Sequence, residues 1–251
     1  SQPRATFEAD RWRIMRYNPQ TGEIVELTRG FDQQADDINV SADGKSIYFT
    51  AGERGRSPIF SVPVEPDFRL RIATHVKKVV GGVSAGSINL SGDGRAIIFS
   101  ASSNDAPAEI MSVNTDGSGL RALTTANKAA LTQFGLRKPE EMDWKGALNT
   151  NIHGFLLEPA NFDAAKKYPL IVLIHGGPQG AWSDNWGYRW NPQIFANQGY
   201  VVFMPNPRGS TGYGQKFVDD ISADWGGKAH IDIANGVAEV VKRPFIDKNR
   251  I

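Results

Sequence analysis

The sequence predicts a chain in two parts: a repeated array of short β-strands over residues 1–125, then the first half of an α/β domain over residues 142–251, joined by a linker at 126–141. Three observations carry this reading. A 14-residue segment recurs after 50 positions, two continuous apolar runs stand later in the chain, and an amphipathic helical pattern follows them. Repetition at a fixed period marks a modular β-array, and unbroken apolar strands mark a sheet covered on both faces.

Residues 38–51 recur at 88–101. Ile38, Asn39, Ser41, Asp43, Gly44, Ile47, Phe49 and Ala51 are matched by Ile88, Asn89, Ser91, Asp93, Gly94, Ile97, Phe99 and Ala101, so eight of the fourteen positions are identical. The Asp-Gly pair in each copy supplies the positive φ of a tight hairpin, with strand residues on both sides. Each copy continues into a further strand, Ile59 to Val62 in one and Ile110 to Val113 in the other. The opening segment matches the tail of a copy: Ile14, Met15 and Asn18 with Leu27 and Thr28 correspond to Ile110, Met111 and Asn114 with Leu123 and Thr124. A period near 50 residues built from four short strands is the pattern of β-propeller blades. About two and a half blades are present, whereas closed propellers hold about 4 to 8, so these blades alone do not close a ring. Two similar hairpins in an unrelated β-sandwich are the alternative.

From Met142 the pattern changes. Met142 to Ala147 and Ile152 to Leu157 read as an antiparallel pair, ended by Pro159 and Asn161. Leu170 to Ile174 and Tyr200 to Met204 are apolar throughout, the pattern of strands in a mostly parallel sheet. Between them Trp190, Ile194 and Phe195 share one helical face, with Gly199 suited to the C-terminal cap. Ala234, Val237, Ala238 and Val241 fall at i, i+3, i+4 and i+7 before Pro244, predicting a helix that packs on the sheet.

Composition narrows the function classes. With 28 basic and 27 acidic side chains the formal net charge is +1, which gives no electrostatic footprint for nucleic acid or an anionic membrane. There are no cysteines, so disulfides, thiol nucleophiles and cysteine metal sites are excluded. No apolar run approaches the roughly 20 residues that span a bilayer. The opening residues Ser1 to Phe7 do not resemble a signal peptide. No metal-ligand spacing is visible: Asp219, Asp220 and Asp224 have no histidine pair beside them and read as solvated or capping groups. No cofactor is implied.

Three blocks concentrate the candidate chemistry. They are Ile174-His175-Gly176-Gly177-Pro178-Gln179-Gly180-Ala181-Trp182, Asn206-Pro207-Arg208-Gly209-Ser210-Thr211-Gly212-Tyr213-Gly214, and Asp224-Trp225-Gly226-Gly227. On these blocks, and on the order of blades followed by an α/β domain, the chain resembles the prolyl oligopeptidase family of serine peptidases, in particular its acylaminoacyl-peptidase and dipeptidyl-peptidase V branch. The resemblance implies an α/β-hydrolase domain in which the Gly177 N–H forms part of an oxyanion hole, its second donor coming from the residue after the nucleophile. His175, Gly176, Asn206, Arg208 and Tyr213 are the expected lining of that site. His175 is not the expected base, because in such hydrolases the triad runs Ser, Asp, His along the chain. His75, His153 and His230 have no Ser or Asp at recognisable spacing and read as structural.

The resemblance also implies what this segment lacks. The expected triad lies beyond Ile251, so these 251 residues alone are expected to be inactive, with the remaining segment of the enzyme arriving as a second polypeptide that closes the propeller and covers an apolar edge at residues 170–174. The implied substrate is a short peptide, and a homodimer of the intact enzyme is compatible with it. The dipeptidyl-peptidase branch implies a periplasmic or secreted enzyme, the acylaminoacyl branch a cytoplasmic one, and the first is favoured. The alternatives are a noncatalytic propeller module with a vestigial hydrolase half, or an esterase of the same class. Gly82-Val83-Ser84-Ala85-Gly86 matches a nucleophile elbow as a string but leads into a blade hairpin, not a helix, and reads as a decoy. Trp182, Trp186, Trp190 and Trp225 read as packing residues. Leu148-Asn149-Thr150 stands where the family often has Asp-Gly.

Overall fold

In the computed structural model, which describes residues 1–70 and 73–251, the repeat in the sequence is also a repeat of conformation. The strands are β1 (Met15–Tyr17), β2 (Ile24–Glu26), β3 (Asp36–Val40), β4 (Ser46–Thr50), β5 (Ile59–Pro63), β6 (Lys77–Val80), β7 (Ser84–Leu90), β8 (Ala96–Ser103), β9 (Ala106–Asn114) and β10 (Arg121–Ala122). They form a β1-β2 ribbon and two four-stranded open sheets, β3-β4-β5-β6 and β7-β8-β9-β10, in which neighbours in sequence are neighbours in space.

Corresponding turns use the same bonds. Gly44 and Gly94 sit at φ +69° and +70°, Ser41 Oγ donates to Asp43 Oδ1 at 2.7 Å and Ser91 Oγ to Asp93 Oδ1 at 2.6 Å. Only the glycine of each Asp-Gly pair carries positive φ. The aspartate accepts from the N–H two residues on, Lys45 or Arg95, as an Asx-type cap of the turn. The correspondence of the opening segment holds at the same resolution: Ile14 N–H donates to Thr28 Oγ1 and Ile110 N–H to Thr124 Oγ1. The Ser84 decoy begins β7, and Asn89 and Leu90 continue that strand, so no elbow forms.

The remaining elements are α1 (Lys128–Leu131), β11 (Glu140–Lys145), β12 (Asn151–Leu157), β13 (Leu170–Val172), α2 (Pro192–Asn197), β14 (Val201–Asn206), α3 (Gln215–Asp219) and α4 (Lys228–Val240). By proximity the chain divides into two units, residues 1–101 with 108–125, and residues 102–107 with 126–251. The tip between β8 and β9 thus groups with the second unit. There Asn104 is buried, its N–H donating to Asp184 Oδ1 at 2.9 Å and its side chain to Ser183 O at 3.1 Å.

The second unit is built on one sheet in the order β11-β12-β14-β13. The expectation of a mostly parallel sheet is corrected: β11/β12 and β12/β14 are antiparallel, and only β13/β14 is parallel. Continuous apolar runs report burial on both faces and carry no information on direction. That burial is real, since Val201 and Phe203 of β14 pack with Trp144, Ile152 and Val240, while Val202 and Met204 pack with Phe155, Leu157 and Ala196.

The two expected helical faces are met only in part: Phe195 of α2, and Val237 and Val241 at α4, are half-buried and pack against the core, but the most buried residues of each helix lie elsewhere. In α2 the buried residues are Pro192, Gln193 and Ala196, with Ile194 and Trp190 exposed. Gly199 does terminate this helix, at φ +88° with its N–H on Ala196 O. In α4 the buried residues are Ala229, Asp232, Gly236 and Val240, whereas Ala234 and Ala238 face solvent. An apolar pattern could not find this stripe, because one of its members is a paired carboxylate and another a glycine.

β13 is an edge strand. Its approach is flanked by residues 245–250, with Tyr168 N–H on Phe245 O, Asp247 N–H on Tyr168 O and Leu170 N–H on Arg250 O. Past β13 the chain leaves at Ile174, which is 60% exposed.

Candidate active site

The loop after β13 turns on Gly177. Its φ is +141°, and a Cβ there would lie 2.6 Å from Gln179 N, so only glycine fits this turn. Gly176 and Gly177 are exposed. Among the described residues the Gly177 N–H has no protein acceptor. It therefore presents an available donor at the C-terminal end of a sheet strand, where open α/β sheets bind ligands.

A cavity of about 360 Å³ opens at this loop. Its wall takes His175, Gly176, Gly177 and Pro178 from the first loop, Pro207 and Arg208 from the loop after β14, and Ile221, Trp225, Ala229, His230 and Ile233 from the segment ending in α4. Ile221 and Ile233 have no signature in the sequence, and His230 and Trp225, expected as structural and packing residues, line the cavity instead. Trp225 is 70% exposed, not packed; an aromatic turned outward carries no periodic signature, although its place in a Gly-rich block was a signal.

The predicted lining residues separate into two groups. His175, Gly176, Gly177 and Arg208 reach the cavity, whereas Asn206 and Tyr213 stand behind the loops. His175 is half-buried, with Nε2 2.9 Å from Ser210 Oγ and Nδ1 3.0 Å from Gly176 O. Burial lowers its pKa from the ordinary 6.5, and the Gly176 carbonyl opposes that by favouring the charged ring. Ser210 is fully buried and its hydroxyl donates to Pro207 O at 2.5 Å. This serine is not placed to attack a substrate, and the His175–Ser210 contact ties the two loops together.

Arg208 is 2% exposed. Its Nε and Nη2 donate to Asp232 Oδ2 and Oδ1 at 2.8 and 3.0 Å, and Nη2 also donates to Ala147 O at 2.7 Å. The side chain thus anchors the loop to α4 and to the β11–β12 turn, and its charge is spent on Asp232. Asn206 is fully buried, and Tyr213 OH lies between Asn206 Nδ2 at 2.9 Å and His153 Nδ1 at 2.7 Å.

Residues 186–251 match the model of the prolyl oligopeptidase family. Through this segment the chain is similar to the prolyl oligopeptidase family. Among curated relatives it is 39% identical over 209 residues to dipeptidyl-peptidase 5 of Arthroderma otae, a match covering 82% of this chain and 28% of that protein. Among solved structures it is similar to the acylaminoacyl peptidase of Pyrococcus horikoshii, with TM-score 0.83, 24% identity, and coverage of 99% of this chain and 37% of the other. It is also similar to dipeptidyl peptidase 4 of Porphyromonas gingivalis, with TM-score 0.73, 19% identity, and coverage of 95% and 33%. At these identities the two structures speak for the fold. The chain spans under a third of the length of the curated relative.

Proposed function

We propose that this chain is part of a serine peptidase acting on short peptides, of the dipeptidyl- or acylaminoacyl-peptidase type, and that it supplies one backbone donor of the oxyanion hole. The observation that carries this reading is the unpaired Gly177 N–H, held in a glycine-only turn at the mouth of an apolar cavity. In the same reading the two four-stranded sheets are propeller blades and the second unit is the first half of an α/β-hydrolase domain.

In an acyl transfer a serine hydroxyl adds to the scissile carbonyl while a histidine takes its proton and an aspartate orients the ring. Negative charge gathers on the former carbonyl oxygen, and Gly177 donates to it together with the N–H following the nucleophile. Loss of one such donor typically costs about 100- to 1,000-fold in turnover. The histidine then protonates the leaving amine, and water releases the acyl group by the same steps in reverse. Ser210 and His175 are committed to holding loops, so this reading assigns the triad to residues of the whole protein outside the 251 described by this sequence. Those residues would also cover Ile174 and the edge of β13.

A fluorophosphonate probe on the full-length protein tests the reading. Covalent labelling of a serine, with turnover of dipeptidyl or acylaminoacyl naphthylamides, is the expected result. No labelling would leave a binding module, and turnover confined to p-nitrophenyl esters would leave an esterase.

A further inference from the structure

The loop that carries Gly177 closes back on its own starting point. Trp182 Nε1 donates to Leu173 O at 2.6 Å, so the segment 174–182 is a ring pinned where it leaves the sheet. A second pin acts on the backbone of the same tryptophan: its N–H donates to Asn206 Oδ1 at 2.7 Å and its carbonyl accepts from Asn206 Nδ2 at 2.9 Å. The carboxamide reproduces one rung of a β-ladder, from a fully buried position at the end of β14.

The orientation of that carboxamide is fixed from behind. Nδ2 also donates to Tyr213 OH, which leaves the phenol proton for His153 Nδ1. His153 is the cross-strand partner of Asn206 and is itself buried, with Nε2 3.3 Å from Glu141 Oε2. With the His153 proton on Nε2, the nitrogen that faces Glu141 Oε2, donors run in one direction, from Asn206 to Tyr213 to His153. A flipped carboxamide would set NH₂ against the Trp182 N–H and oxygen against its carbonyl, losing both bonds.

We propose that Asn206 is a positioning residue for the Gly177 amide, acting through Trp182, with Tyr213 and His153 holding its carboxamide in register. The proposal rests on the reading of Gly177 as an oxyanion donor. Such a donor contributes only when it points at the place the oxyanion will occupy, and a misplacement of about 1 Å costs on the order of 100-fold.

The test uses the full-length enzyme, with active sites counted by fluorophosphonate titration and with a naphthylamide that the wild type cleaves. Asn206→Ala is expected to lower kcat per titrated site by about 10- to 100-fold with KM within about twofold, the pattern of an interaction made only in the transition state. Affinity for a peptide aldehyde, which forms a tetrahedral adduct, should fall by the same factor. Tyr213→Phe keeps the Trp182 rung and should move both quantities in the same direction by only about two- to fivefold. An Asn206→Ala enzyme whose kcat per titrated site is unchanged overturns the proposal, since a merely structural role lowers the number of sites and not their rate. Should Asn206→Ala not fold, unchanged kcat and aldehyde affinity in Tyr213→Phe overturn it. A wild-type enzyme that the fluorophosphonate does not label overturns the proposal together with the oxyanion reading, and so identifies which step failed.

Discussion

The Arg208 guanidinium and the Asp232 carboxylate form a two-point ion pair with neither side chain more than 1% exposed. Asp232 also accepts the backbone N–H groups of Arg208 and Ala147. Three segments therefore converge on one carboxylate: the loop after β14, the β11–β12 turn, and α4. Desolvating two charges is costly, and what offsets it here is the number of bonds each makes.

Removing one partner strands the other. Arg208→Ala or Asp232→Ala is expected to cost about 3–5 kcal/mol in urea unfolding. Replacing both by apolar residues of similar volume should cost less than either single change, because no orphan charge remains. Arg208→Lys should not rescue, since an ammonium cannot make the paired bonds to Asp232 and also reach Ala147 O. Single substitutions costing under about 1 kcal/mol would mean that water reaches the pair.

Gly236 tests the packing of the same helix. Glycine within a helix ordinarily costs about 0.5–1 kcal/mol relative to alanine. Here a Cβ would lie 2.7 Å from Trp144 Cε2 and 2.8 Å from Phe203 Cζ, both in the core beneath α4. Overpacking costs about 1–3 kcal/mol, so Gly236→Ala should destabilise despite its better helix propensity. A raised denaturation midpoint would show that α4 can lift off the sheet without penalty.

These two residues also mark the limit of what the sequence discloses. The repeat was legible because identical side chains make identical bonds, down to Thr28 and Thr124 each receiving the N–H of the isoleucine 14 positions earlier. It extends to backbone that no residue type announces, with Asp37 and Ser87, 50 positions apart, at φ 49° and 52°. The loop glycines were legible because Gly177 stands in a turn that excludes a side chain. Asp232 and Gly236 were not, since neither is apolar and the partners of each are distant in sequence. Likewise Asn206 and Arg208 were found as residues near the site, while their task of holding loops depends on which groups the fold brings within 3 Å.

The turn Ala147–Thr150 between β11 and β12 has no glycine at its two central positions. Leu148 and Asn149 both have positive φ, 53° and 59°, and Ala147 O accepts from Thr150 N–H at 3.2 Å, the geometry of a type I′ turn. Leu148 is 85% exposed, so no burial compensates its left-handed backbone, which costs roughly 1–2 kcal/mol in an ordinary L-residue. Leu148→Gly removes that strain but adds freedom to the unfolded chain worth about 0.5–1 kcal/mol. The expected net gain is about 0.5–1 kcal/mol, read as a higher urea midpoint at unchanged slope. A lower midpoint would show that the leucine side chain makes a stabilising contact in the folded protein.

His175 sets a pH dependence whose sign can be worked out from its neighbours. Ser210 donates its own proton to Pro207 O, so Nε2–H of His175 is the donor to Ser210 Oγ, and a neutral ring then has no hydrogen for the Nδ1 contact with Gly176 O. A second proton would complete that contact, yet burial outweighs it and the pKa lies below the ordinary 6.5. Between the lowered value and 6.5 the unfolded chain binds more protons than the folded one, so folded stability rises with pH in that window. The contribution is fully present above 6.5 and is lost as the pH falls through the lowered pKa. Titration of the His175 ring by NMR should give a midpoint below 6.5, and His175→Gln should flatten the corresponding acid limb of the unfolding midpoint against pH. A midpoint above 6.5 would mean that the Gly176 carbonyl governs the ring, and the limb would then slope the other way.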